Sequence, residues 1–524
     1  MLVSDGALFT RTDKDGYYML ASKKYQNVIF YITPSGYEPQ LHKKIYPRFW
    51  ATLSHKKDFV DRHDFVLHKV NNLRHRIVVG ADTHLCGRNE DIIQIKRMFV
   101  PNVQRELRRA REDSVAIYSV MLGDLSVCSS WYSADFDIGD ALKAFSVIKY
   151  PLPLYTVMGE QDYDGSIPCE GLTDYKAERT YVYECGPKYY SMNFGEVHYI
   201  VLDNTMFLNE PGDGHYPTDI VGKRNYETLV SIEQLNWLRE DLSYVPEEKP
   251  VVVFMHHPVF RIANKSENLI KAFSKREQTD SLIKCFTKRK NVHFYTAHQH
   301  RRRVSYSKKN LPNIREHNIP SICGNSWETA YNDYMHLCSD GTPPGFEVLS
   351  ADSTKLSWRY VSLMEGEKPF RAYDMNMVKK YYAEDATLRS FFKEYKSRTD
   401  YAGGGFENFI YVNYWGDEPG AKLEILEDTT KLKVRPILQD DPTNTIAVAV
   451  HKFRTNRGKK PNVSKNTCQH MFRAKCQKDS SMVIIRATDR FGRIYTDTLR
   501  RPVPFKFMQG IPKPNYAKQI LGVK

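Results

Sequence analysis

The chain has 524 residues, enough for two to four domains of the usual ~100–200 residues each. Hydrophobic residues make up 41% and charged residues 26%, which excludes disorder as the main state, a collagen-like repeat and a coiled-coil rod. With 76 Lys+Arg against 62 Asp+Glu the net charge is +14, which favours anionic partners (phosphate esters, nucleic acid, anionic glycolipid) and says nothing about fold.

Residues 1–72 read as strands and turns. Gly16-Tyr-Tyr-Met-Leu20 and Val28-Ile-Phe-Tyr-Ile32 are rich in β-branched and aromatic residues, and Asp13-Lys-Asp-Gly16 is a hairpin-type turn. From Arg76 to about Ser362 strands alternate with helices. The short apolar runs Ile77–Val79, Val115–Leu122, Leu154–Val157, Val251–Phe254 and Val292–Tyr295 are of the buried-strand kind. Helical periods lie between them, one at Ile138, Ala141, Leu142, Phe145 and Ile148, another at Ile232, Leu235, Leu238 and Leu242 behind a Ser231-x-x-Gln234 capping box. Tyr189–Phe194 and Val197–Leu202 flank Gly195-Glu196 as a hairpin. The middle of the chain is therefore a layered α/β core with some antiparallel pairing. After about residue 365 alternation returns at Phe409–Trp415, Lys422–Leu426, Lys431–Val434, Ile446–Val450 and Met482–Ile485, which predicts a β-sandwich; Met375–Ser397 reads as a helical linker.

No apolar run approaches the ~18–20 residues that cross a bilayer. The start, Met1-Leu-Val-Ser-Asp-Gly6, has neither the basic nor the apolar region of a signal peptide. The nine cysteines form no CxxC pair, so neither a zinc ribbon nor a thioredoxin-type motif is supported. Cys169/Cys185 and Cys468/Cys476 are the nearest candidates for disulfides; packing as free thiols is the plainer reading. Arg105, Arg108, Arg109 and Arg111 with Glu106 and Glu112 read as an exposed helix face. No zinc-finger, RNA-recognition or helix-turn-helix pattern makes the positive charge a specific nucleic-acid footprint.

The chemistry-bearing residues sit where the core strands end, which is where open α/β sheets place their ligands. Ile77–Ala81 runs into Asp82-Thr-His84, Val120–Leu122 into Gly123-Asp124, and Tyr155–Met158 into Gly159-Glu-Gln-Asp162. Val253–Met255 runs into His256-His257, and Phe294–Ala297 into His298-Gln-His300. One strand-end Asp or His has a bland explanation, but five in succession do not. Asp-x-His and His-x-His put two donors on one strand face, and mixed imidazole and carboxylate ligands suit Zn, Fe or Mn. Seven donors exceed one tetrahedral ion and fit two ions that share a carboxylate.

This series resembles the five-motif signature of the calcineurin-like metallophosphoesterases. The opening segment with Thr12-Asp-Lys-Asp-Gly-Tyr17, the Ser339–Gly345 stretch and Ala487–Gly492 resemble bacterial members with β accessory domains at both ends. The resemblance implies a four-layer αββα core over 73–364, an N-terminal β accessory domain over 1–72 that begins as if a first strand and a leader lay upstream, and a C-terminal β-sandwich over 365–524, the last boundary falling within 320–365. It implies two divalent or trivalent ions (Mn, Fe or Zn), with Asp82, His84 and His300 on the first, His256 and His298 on the second, and Asp124 bridging. A hydroxide shared by the ions would attack phosphorus of a monoester or diester. Relatives of this kind are exported or periplasmic.

The third motif departs from the family. Where Gly-Asn-His-Asp is usual, this chain has Glu160 and Gln161 before Asp162. Glu160 would ligate the second ion but add a third negative charge; Gln161 donates a hydrogen bond to a phosphoryl oxygen but holds no titratable proton. Gln161 and Asp162 are the catalytic candidates outside the metal ligands. The alternative is an impaired homologue that binds metal and an anion as a scaffold. Strand alternation aims His257 away from His256, leaving it a packed neighbour or a substrate contact. Arg301-Arg-Arg303 either draws phosphate to the site or is a solvated strand end, and Trp131 either walls the substrate or packs in the core. The expected partner is a phosphorylated small molecule, lipid headgroup or glycan.

Overall fold

Alternation along the middle strands sends Ile77 and Val79 to one side and Val78 to the other, and both sides are buried. The computed structural model describes the chain except residues 25, 55, 57–58, 88–90, 213–219, 263–268, 308–310, 323–336, 456–467 and 508–524. Two sheets form the core. One runs Leu154–Thr156, Ala116–Met121, Arg74–Gly80, Gly345–Asp352, Lys355–Ser362, its first three strands parallel and the last two antiparallel additions. The other runs Tyr190–Phe194, Val197–Val201, Val251–Phe254, Val292–Thr296, Leu311–Asn318, Arg303–Ser307, parallel at its centre and closed at each edge by an antiparallel hairpin.

The sheets face each other. Ile77, Val79, Tyr118 and Val120 share a buried cluster with Phe194, Tyr199, Phe254 and Tyr295, and the Tyr118 ring stacks on Phe194 at 4.0 Å. Each large side chain buried in this way contributes ~1.5–3 kcal/mol. On the far side of the first sheet, Val78, Ile117 and Met121 meet Val103, Ala141 and Phe145 of helices Val100–Glu112 and Ile138–Val147. Helices Ile232–Ser243 and Arg276–Lys284 bring Leu235, Leu238 and Leu282 to the second sheet. The layers are helix, sheet, sheet, helix. Asp137 and Ser231 start two of these helices by accepting the Asp140 and Gln234 backbone N–H groups.

His75 ties the two sheets together. Its Nδ1 lies 2.8 Å from the Asn72 carbonyl and its Nε2 2.6 Å from the Tyr199 hydroxyl. Burial pushes its pKa down to about 4. The unfolded chain therefore binds this proton near pH 6.5 and the folded chain only near 4, so stability is lost as pH falls through that window, by about 3 kcal/mol. Urea titrations of His75→Gln are expected to lose that share of the acid sensitivity; an unchanged slope between pH 7 and 4 would exclude His75 as its source.

At the N-terminus, Phe9–Arg11, Leu2–Ser4, Val28–Ile32 and Trp50–Thr52 form one antiparallel sheet whose Val3, Val28 and Phe30 join the core cluster. Trp237 donates to Ser4 Oγ at 3.1 Å and Tyr189 to the Gly6 carbonyl at 2.6 Å, so this sheet is bonded to the core. The strand expected at 16–20 does not form: Tyr17 and Met19 are 75% and 88% exposed, with no partner face to cover them.

The C-terminal part has two four-stranded antiparallel sheets, one around Phe409–Asn413 and Cys468–Lys475, the other around Lys422–Glu427 and Met482–Thr488. Val412 and Ala474 of the first share a cluster with Ile425, Val483 and Ile485 of the second. Three expectations are corrected here. The run Ile446–Val450 lies in helix Pro442–Thr455, because Asp441 accepts the Asn444 N–H and Pro442 takes the first helical position, where its missing N–H costs nothing. The supposed linker is two helices, Met375–Glu384 and Ala386–Glu394, that bury Met375, Val378, Tyr382, Leu388 and Phe391 against the first sheet. Of the run Lys431–Val434 only Lys431 pairs as strand, in Thr430–Lys431.

Two further readings change. The helix carrying Arg105–Arg111 is not wholly exposed, because Glu106 is fully buried and paired with Arg109 and Arg359. The eight described cysteines are free thiols, and Cys323 lies outside the described residues. No helix among the described residues is long and apolar enough to cross a membrane.

Candidate metal centre

Five parallel strands, three from the first sheet and two from the second, end at one side of the core and release the five motif loops there. The turns are tight. Asp82 (φ 52°), His84 (43°), Asp124 (50°), His298 (62°) and His300 (50°) all take left-handed backbone conformations, which cost a non-glycine residue roughly 1–2 kcal/mol each. Backbone bonds between loops hold them there: Asp82 N–H to the Gly123 carbonyl (3.2 Å), His84 N–H to Asp124 (2.9 Å) and Ala297 N–H to His256 (2.8 Å). Five of the 17 described non-glycine residues with positive φ thus fall in these loops, and the bonds between loops keep them in that conformation.

Their side chains converge in three overlapping groups: Asp82, His84 and His300; Glu160, His256, His257 and His298; and Asp82, Asp124 and His256. One oxygen of Asp124, Oδ2, lies 3.7 Å from His84 Nε2 and 3.5 Å from His256 Nε2, so it stands between the first two groups. Its other oxygen is held by the Gln161 N–H at 2.8 Å. His300 Nε2 lies 3.3 Å from Asp82 Oδ1 and 3.2 Å from His84 Nε2. Glu160 is the hub of the second group, with His256 Nε2 at 2.6 Å, His298 Nδ1 at 2.9 Å and His257 Nε2 at 3.7 Å. Both Asp82 oxygens, Glu160 Oε2, His256 Nε2 and His257 Nε2 are buried and make no hydrogen bond, although Glu160 and His256 nearly touch. Lone pairs that crowd together without bonding share a common target. His256 Nδ1 sits 2.6 Å from the Leu122 carbonyl, which takes the ring proton there and leaves Nε2 as the inward donor.

Within the cluster the carboxylates and imidazoles shift one another. Burial works against charge on His256, but the Asp124 and Glu160 carboxylates outweigh it and hold its pKa well above the usual imidazole value. Burial likewise opposes ionisation of Glu160, yet His298 and His256 hold it well below the usual carboxylate range. Burial lowers His84 and, with neighbouring His298, lowers His257 far further. The donor set fits a pair of cations: three carboxylates and five imidazoles, with Asp124 between the two groups.

The remaining candidates fall in different places. Asp162 is fully buried and accepts the backbone N–H groups of Leu125 (3.3 Å), Ser126 (3.0 Å) and Gly159 (3.1 Å), so it braces the second and third loops instead of facing the centre. Gln161 Oε1 lies 3.5 Å from Cys128 Sγ. Trp131, 6% exposed, packs in the helical core cluster and donates to Ser126 Oγ at 3.0 Å, which favours the packing alternative. Arg301 donates to Ser339 Oγ at 2.8 Å, in the seam with the C-terminal sheets. His257 also departs from expectation. The strand stops at Phe254, so alternation no longer applies, and His257 turns toward the second group with its ring 4.4 Å from His298. Asn204 holds it by bonds to both its N–H and its carbonyl.

Sequence reasoning missed Tyr226, whose ring stacks on His257 at 4.9 Å and whose hydroxyl lies 3.5 Å from His298 Nε2. It comes from the two-stranded ribbon Thr205–Phe207/Tyr226–Thr228, outside the five strand ends, and nothing in its neighbours marks it.

Two glycines let the loops approach. A Cβ on Gly159 would lie 2.3 Å from Asp124 Oδ1 and 2.4 Å from its backbone nitrogen; one on Gly123 (φ +88°) would lie 2.6 Å from His256 Nδ1. Gly159→Ala is expected to displace Asp124 and destabilise the fold by about 1–3 kcal/mol, read as a lowered urea midpoint. A midpoint equal to wild type would mean that the loops yield freely.

Residues 75–302 match the family model for calcineurin-like phosphoesterase, residues 1–70 the model for the N terminal of calcineurin-like phosphoesterase, and residues 316–495 that for its C terminal. No curated protein matches the sequence. Among solved structures, the chain is similar to a dimetal phosphatase from Danio rerio (10% identity, 56% of this chain and 97% of that one, TM-score 0.35). It is also similar to GAP50, the anchor in the inner membrane complex of Plasmodium (12%, 56% and 86%, 0.31), and to a 5'-nucleotidase from Candida albicans (12%, 55% and 51%, 0.31).

Proposed function

The chain belongs to the calcineurin-like phosphoesterases, and on that premise we propose that it hydrolyses phosphomonoesters or phosphodiesters at a two-metal centre. The observation that carries this reading is the convergence of buried donor atoms without hydrogen bonds, split into two groups that share Asp124. Asp82, His84 and His300 would hold one ion, and Glu160, His256 and His298 the other. When bound, two such ions polarise a phosphoryl oxygen and supply a nucleophile at neutral pH. The chain's own part is to fix the two donor sets at the required separation and keep the imidazole donors oriented.

Glu160 sets this centre apart. Three carboxylates leave two divalent ions with a smaller net charge than the family's usual pair of carboxylates would. Gln161 offers the phosphoryl group a hydrogen bond but no proton for the departing oxygen. Loss of general-acid help is worth about 10²–10⁴-fold. Leaving groups that depart as stable anions are therefore favoured over alkoxides, so among phosphorylated small molecules, lipid headgroups or glycans those with an acidic leaving group are the preferred substrates.

The test is hydrolysis of p-nitrophenyl phosphate, bis(p-nitrophenyl) phosphate and glycerol phosphate with Mn(II) and after chelation. Expected is turnover of an aryl ester that chelation removes and metal restores, with glycerol phosphate at least about 100-fold slower. Turnover untouched by exhaustive chelation, or absent for all three, would sink the proposal. Equal rates for aryl and alkyl esters would sink the part assigned to Gln161.

A further inference from the structure

A cavity of about 550 Å³ lies away from the metal centre, and none of the metal-centre residues lines it. Leu154–Thr156 is the edge strand of the first core sheet and Tyr190–Phe194 the edge strand of the second, so the seam between the sheets opens on this side. The N-terminal segment 42–52 crosses the opening. It is pinned by the Leu154 N–H to the Ile45 carbonyl (2.8 Å) and by the Tyr46 hydroxyl to the Leu142 carbonyl. The cavity is thus made jointly by the core and the N-terminal sheet, and its size falls within the range of small-molecule sites.

Its lining has a direction. The inner wall carries the rings of Phe49, Tyr155 and Tyr190, with Phe49 4.7 Å from Tyr190 and 5.9 Å from Tyr155, and Trp50 stands beside them. The rim carries exposed Lys43 and Arg48 against one carboxylate, Glu184. Aromatic faces accept a flat ring, and the rim cations accept a negative group at its edge.

We propose that this cavity is a binding site for a small organic anion that carries a flat aromatic ring, independent of the metal centre. The probe is 2-naphthoate, titrated against the full-length protein by calorimetry, with 2-naphthalenemethanol as its neutral counterpart. Expected is one naphthoate per chain, bound at least roughly tenfold more tightly than the alcohol, and weakened at least roughly tenfold by Lys43→Glu/Arg48→Glu. Both substituted side chains are exposed, so the variant keeps its packing; a second variant, Thr52→Trp at the exposed rim, is expected to block entry. Asp124→Asn should leave the affinity unchanged. No binding, an affinity indifferent to the rim charges, or loss of binding in Asp124→Asn would overturn the proposal, the last by placing the anion in the metal centre.

Discussion

An Asp124→Asn variant is expected to keep its fold and lose at least about 1000-fold in kcat/KM for an aryl phosphate. Asp124 is the carboxylate that reaches both donor groups, with Oδ2 3.7 Å from His84 Nε2 and 3.5 Å from His256 Nε2. Asparagine tolerates the left-handed backbone at this position (φ 50°), and its amide oxygen still accepts the Gln161 N–H. What it removes is the negative charge between the two ions. The checks are steady-state kinetics and a thermal melt on the same preparation. Activity within tenfold of wild type, with a normal melt, would take Asp124 out of the reaction.

Glu160→Ala should act on half of the centre. Glu160 is the carboxylate in contact with His256, His257 and His298, and those imidazoles disfavour one another's protonation. Without it the second group keeps its imidazoles and only the shared Asp124 carboxylate, while Asp82, His84 and His300 are untouched. Metal content after dialysis is expected to fall from two ions per chain to one, and turnover to fall at least about 100-fold. Retention of two ions would show that Glu160 is not a ligand, and that its closeness to the histidines is ordinary ion pairing.

The core was readable because its signals were redundant. Ile77–Val79 and Val251–Phe254 are short runs rich in β-branched residues and flanked by glycine or proline, which favours buried strands, and each strand end carries a residue whose presence packing does not explain. Ligand spacing of two residues, in Asp82-x-His84 and His298-x-His300, survives even though the backbone there is left-handed and no longer strand. The same departure misled at His257, where alternation was extended three residues beyond the point at which the strand stops. Ile446–Val450 failed for another reason. Five apolar residues fit either period, and the deciding cap, Asp441 with Pro442, lies outside the run. Asp162 and Tyr226 could not be placed from sequence, since one is assigned by three backbone N–H groups and the other by a ribbon that folds back over the second donor group.

Anomalous scattering from crystals grown with Mn(II) tests the central claim most directly. Two peaks roughly 3.5–4 Å apart are predicted, one against Asp82, His84 and His300, the other against Glu160, His256 and His298, with Asp124 between them. A single peak, or peaks remote from these side chains, would contradict the account.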